Sequence, residues 1–157
     1  MRFVSFEIQD QVTYGLWKDE NNWLQVPVSF SDRYPDLKSV IAANQLDALE
    51  LVTVQTGAPV NASDARLLPV IANPGKVFCV GLNYKTHVAE MKRADSEHPA
   101  IFTRFADSLS AHGAPLPKPA ATQRFDFEGE LAVIIGQGGR HISQEKAWDH
   151  IAGYACF

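Results

Sequence analysis

Asp126-Phe127-Glu128-Gly129-Glu130-Leu131-Ala132-Val133-Ile134-Ile135-Gly136 is the stretch that decides how this chain reads. From Leu131 to Ile135 every residue is apolar, the last three are β-branched, and Gly136 closes the run. That pattern predicts a strand. Asp126, Glu128 and Glu130 lead into it at alternate positions, and on extended backbone alternate side chains share one face. Parallel carboxylates beside an apolar strand repel one another and lose hydration unless a cation lies among them, a role that hard divalent metals with oxygen ligands fill. A strand end facing solvent also tolerates them, so the spacing alone leaves both readings open.

Downstream, Gly136–Arg140 turns the chain. Its glycines fit neither G-x-G-x-x-G nor G-x-x-x-x-G-K-[ST], so no phosphate loop is read there. Ser143 is placed to cap a short helix through His150, and Gly153–Phe157 reads as the start of another strand. Upstream, Val77-Phe78-Cys79-Val80 is apolar on both faces and followed by Gly81, as in a buried strand that ends in a turn. Ala100–Phe105 is a second strand, and Ala111–Ala121 is a Pro/Gly-rich loop. Between the strands, Leu82–Lys92 mixes Asn83, Tyr84, Lys85, His87 and Glu90 with few apolar residues, which predicts a loop and one or two helical turns. His87 and Glu90 are three apart, so on a helical turn the carboxylate can orient the imidazole and raise its basicity. The same H-x-x-E spacing also occurs as an ordinary surface pair. His98, His112, His141 and His150 form no ligand spacing, Ser108 and Ser110 lie in no G-x-S-x-G elbow, and Cys79 sits mid-strand.

The N-terminal part has a different character. Arg2–Glu7 and Thr13–Lys18 bracket Gln9-Asp10 as a hairpin, and Trp23–Val28 adds a third strand. Pro35-Asp36 opens a helix in which Leu37, Val40 and Ile41 share a face; Leu46, Leu49 and Val52 mark another, stopped by Gly57-Ala58-Pro59. The chain therefore divides into a small α+β region, residues 1–70, and a β-rich region, residues 71–157. With 157 residues, 46% of them hydrophobic and 20% charged, it is long enough for one good core. The net charge of −4 arises wholly in residues 1–70, which carry five Lys and Arg against nine Asp and Glu; residues 71–157 carry nine of each. Neither part is basic, which argues against a nucleic-acid partner, and no apolar run approaches the ~20 residues of a membrane span. Glu7 interrupts any apolar leader at the N-terminus, and Cys79 and Cys156 sit in apolar runs as reduced core thiols. These features predict a cytoplasmic protein with a small-molecule or protein partner.

Taken in order, several segments resemble the fumarylacetoacetate hydrolase family: Lys76–Asn83 with Tyr84, His87 and Glu90; Ile101-Phe102 with Arg104; Asp126–Glu130 running into Leu131–Gly136; and Ala147 through Gly153-Tyr154. The resemblance spans residues 67–157, and residues 1–66 match only as loosely as a variable N-terminal region. It implies a mixed β roll, here incomplete, behind a small α+β N-terminal region. Glu128 and Glu130 are then two of three carboxylate ligands to Mg2+, or Mn2+ or Ca2+, with the third acid just after Phe157. His87, oriented by Glu90, is the general base, with Tyr84 and Arg104, often Lys in relatives, beside a small oxo or diketo acid. The implied chemistry is C–C bond cleavage through a metal-stabilised enolate, or a related decarboxylation or isomerisation, in a homodimer. The alternative is a truncated, catalytically silent domain that serves as an interaction or binding module.

Overall fold

A computed structural model of the chain describes residues 1–90 and 98–157. β1 (Phe3–Ile8) and β2 (Gln11–Trp17) pair antiparallel, with Phe3 opposite Leu16 and Ile8 opposite Gln11. The linking residues Gln9 and Asp10 have φ of 50° and 60°, the left-handed pair whose twist suits a two-residue hairpin. β3 (Asn22–Gln25) follows antiparallel on β2. The strand stops short of the expected Val28 because Pro27 has no N–H for the ladder; α1 (Val28–Ser31) begins instead.

α2 (Leu37–Ala42) starts at a reciprocal cap: the Ser39 N–H donates to the Asp36 carboxylate at 2.7 Å, and the Asp36 N–H donates to Ser39 Oγ at 3.2 Å. α3 (Leu46–Thr56) ends at Gly57. The next residues, read from sequence as a helix stop, form β4 (Ala58–Asn61). Pro59 is tolerated there because β4 is the outer edge of the sheet, whose order is β4-β3-β2-β1-β5, with β5 at Arg66–Leu67. Tyr14, Val26, Leu37, Val40 and Leu49 form one buried cluster with the helices; Val4, Phe6, Trp23 and Val60 form a second. Phe6 and Trp23 rings lie 5.2 Å apart, Trp17 and Trp23 rings 5.4 Å apart.

The chain divides into two compact units, Ala72–Leu109 and the remainder, Met1–Ile71 with Ser110–Phe157. The first contains β6 (Val77–Gly81), α4 (Lys85–Glu90) and β7 (Ala100–Arg104), with β6 and β7 antiparallel. β6 is not the buried strand expected from its apolar run. Phe78 is 62% and Val80 44% exposed, because a two-stranded ladder has no second layer of its own to cover that face.

In the other unit, β8 (Leu131–Ile135) and β9 (Ile151–Cys156) form a second two-stranded antiparallel ladder. The segment expected as a short helix capped by Ser143 is a 3-10 turn, Gln144–His150, with no side-chain cap. Cys79 is half-buried and Cys156 exposed, both free thiols; the expectation of two core thiols fails at Cys156, whose side of β9 lies open. Among the described residues no helix is long and apolar enough to cross a membrane.

Candidate functional site

α4 follows β6 after a tight turn. Gly81 is still in the ladder, opposite Ala100, and the turn falls at Leu82, with φ of 56°. The Val88 N–H donates to the Tyr84 carbonyl at 3.0 Å, so the first helical turn springs from Tyr84. Val88 is the buried residue of α4, His87 is half-buried, and Tyr84 and Glu90 are exposed. His87 and Glu90 thus share one helix, three residues apart, where side chains are neighbours. The helical reading up to Lys92 runs past Glu90 into Met91 and Lys92, which lie outside the described residues.

Arg104 is in the same unit but at the other end of its hairpin. It stands opposite Val77, whereas the His87 turn leaves from Gly81 opposite Ala100. At ~3.4 Å per residue the two ends are about 14 Å apart along the ladder.

The acidic segment departs from the strand expected for it. β8 begins at Leu131, and residues 126–129 take no strand pairing. Only Glu130 is drawn toward the ladder: its N–H donates to the Phe157 carbonyl at 2.8 Å, and the Phe157 N–H donates back at 2.9 Å. The reason is one of partners, since β9 pairs no residue with Gly129 or Glu128. The Asp126 carboxylate accepts from the Phe127 N–H at 2.9 Å. Glu130 is half-buried and Glu128 exposed.

The donor chemistry of Glu128 and Glu130 is all oxygen, which suits Mg2+, Mn2+ or Ca2+, and Mg2+ is commonly held by one or two carboxylates while it keeps several waters. Among the described residues no group of three or more His, Cys, Asp or Glu gathers as a metal site. A cleft of about 490 Å³ elsewhere, lined by residues including Trp17, Trp23, Arg66 and His112, contains none of these site residues.

The feature that sequence reading misses is Leu82. The natural turn former is Gly81, and nothing in the side chain of leucine signals a left-handed backbone.

A family model described as fumarylacetoacetate (FAA) hydrolase, C-terminal, matches residues 76–157. The mitochondrial oxaloacetate tautomerase fahd2 of Xenopus laevis is 40% identical over 92 residues, covering 59% of this chain and 29% of that protein. A solved fumarylacetoacetate hydrolase from psychrophilic Exiguobacterium antarcticum superposes with a TM-score of 0.76 at 29% identity, covering 99% of this chain and 54% of its own. A maleylpyruvate hydrolase from Sphingobium sp. SYK-6, solved with manganese(II) and pyruvate, shares the fold at a TM-score of 0.76 and 22% identity, over 99% of this chain and 57% of its own. The chain therefore spans about a third of that tautomerase and about half of these solved structures.

Proposed function

Because the chain belongs to the fumarylacetoacetate hydrolase family, we propose that it carries the base and part of the metal-ligand set of a metal-dependent hydrolase or lyase acting on a small oxo or diketo acid. The observation that carries this reading is that one family match, residues 76–157, includes both the His87–Glu90 turn and the Glu128–Glu130 segment. In this reading His87 takes a proton, either from water or from the carbon beside the substrate ketone, and Glu90 holds the imidazole in orientation and stabilises its charged form. Tyr84 presents a hydroxyl to the substrate, and Arg104 a fixed positive charge for its carboxylate. A divalent ion held at Glu128 and Glu130 supplies Lewis acidity toward the carboxylate and carbonyl oxygens of the substrate. Proton transfer beside a ketone serves tautomerisation, and water activation serves C–C cleavage, so one base fits both activities named for the relatives.

The test is turnover. With Mg2+ or Mn2+ present, the purified chain is assayed for enol-to-keto conversion of oxaloacetate and for hydrolysis of an acylpyruvate. His87→Ala should lower turnover by ~10²–10⁴-fold, the range of general-base catalysis, and leave metal affinity unchanged. Wild-type turnover in that variant across the pH range removes His87 from the role.

The open apolar faces of both hairpins, with Phe78 62% and Leu131 60% exposed, favour a second reading, a silent binding module of the same family. Metal-dependent turnover by the wild-type chain decides against it.

A further inference from the structure

Five non-glycine residues among those described have φ in the left-handed region: Gln9, Asp10, Asn44, Leu82 and His141. Four of them are polar. Gln9 and Asp10 make the β1–β2 hairpin, and Asn44 follows the end of α2. Asn, Asp and His enter this region several-fold more often than other residues, helped by short polar side chains that bond locally. Leu82 has no such help, and its Cβ crowds the following carbonyl in a way that glycine avoids. The one apolar residue in this set is also the one that joins β6 to the turn bearing Tyr84 and His87.

The elements on either side show why the conformation at this position matters. Gly81 is fixed in the ladder opposite Ala100, and the helix is already under way where the Val88 N–H meets the Tyr84 carbonyl. Residues 82 and 83 lie between these two fixed points. α4, described over Lys85–Glu90, buries Val88. Strained backbone of this kind persists where the surrounding structure over-determines it, and it clusters at functional sites.

We propose that the left-handed turn at Leu82 is the positioning device for the candidate base: Leu82 acts through its backbone conformation to set the axis of α4 and hence where His87 stands. This rests on the reading of His87 given above. Leu82 touches no reacting atom in it and is a positioning residue.

Two substitutions of opposite backbone preference test the proposal. Leu82→Ile is β-branched and resists positive φ, whereas Leu82→Asn accepts it. In the wild-type background, hydrogen exchange at the Val88 amide reports the first turn of α4, and Trp17 and Trp23 fluorescence confirms that the N-terminal sheet is folded. Leu82→Ile should speed Val88 exchange by ~10-fold or more. It should also lower kcat on oxaloacetate by ~10-fold or more with KM within about twofold, as expected for a displaced base. Leu82→Asn should keep both within about threefold of wild type. Val88 exchange in Leu82→Ile equal to wild type overturns the proposal. So does Leu82→Asn loosening α4 as much as Leu82→Ile, since the side chain and not the backbone would then hold the turn. If the wild-type chain turns over no oxo acid, the functional reading falls, while Val88 exchange still decides this inference.

Discussion

Phe6 and Leu16, on β1 and β2, are 0% and 2% exposed, whereas Phe78 on β6 and Leu131 and Ile135 on β8 are 62%, 60% and 61% exposed. All five are large apolar residues in antiparallel strands. What differs is the second layer. β1 and β2 belong to a five-stranded sheet with α2 and α3 beside it, and two buried clusters form around them. β6–β7 and β8–β9 are two-stranded ladders with open apolar faces, and ladders of that size need a further layer to be stable on their own. The lesson is that a strand pattern predicts the strand and not its burial. In this chain the residues of the two buried clusters and the candidate site residues lie on different elements.

The largest expected effect follows from that contrast. Phe6→Ala should cost about 3–5 kcal/mol of unfolding free energy, the usual range for losing a fully buried aromatic side chain. Phe78→Ala and Ile135→Ala, on open faces, should each stay within about 0.5 kcal/mol. Urea unfolding followed by tryptophan fluorescence makes the comparison, since two of the three tryptophans, Trp17 and Trp23, lie in the N-terminal sheet and the third, Trp148, is already exposed. Equal losses at Phe6 and Phe78 would break the distinction between the two regions.

A smaller effect sharpens it inside the N-terminal core. The Tyr14 hydroxyl donates to the Tyr34 carbonyl. Burial, with the nearby Asp36 charge adding to it, pushes that hydroxyl well above the ordinary tyrosine value of 10.0. The folded state therefore keeps a proton that the unfolded chain releases. The resulting stability is fully present below pH 10 and is lost as pH rises above it toward the folded value. Tyr14→Phe should cost about 1 kcal/mol at neutral pH, the worth of a typical hydrogen bond. It should also flatten the fall in stability on the alkaline side. An unchanged alkaline slope, measured by urea midpoints from pH 8 to 11, would remove Tyr14 from that account.

Much of the fold is legible in the sequence wherever the signal is local. Gln9-Asp10 between two alternating runs gives the hairpin, Asp36 ahead of Leu37 gives the helix start, and Leu131–Ile135 gives β8. Features set by distant partners are not legible. Pro59 argues against a strand until β4 is seen to lie at the sheet edge, and the run at Val77–Val80 looks buried until its sheet proves to have two strands. The candidate site divides in the same way. The H-x-x-E spacing places His87 and Glu90 on one helix correctly, because a helix is a local object. The expected alignment of the carboxylates depends on strand pairing, and the described pairing reaches as far as Glu130, whose backbone bonds with Phe157. The left-handed Leu82 leaves no trace in its side chain, since the need for it comes from the two elements it joins.

The separation of stability from chemistry is tested most directly by titrating Mn2+ into the wild-type chain and a Glu128→Gln, Glu130→Gln variant, with the tryptophan-monitored unfolding midpoint taken on the same samples without metal. The variant should lose at least ~10-fold in Mn2+ affinity, since even indirect ligand partners are worth that much. Both proteins should share one unfolding midpoint, because neither carboxylate belongs to the buried clusters. Equal affinity in the two proteins, or a midpoint that falls in the variant, would contradict that separation.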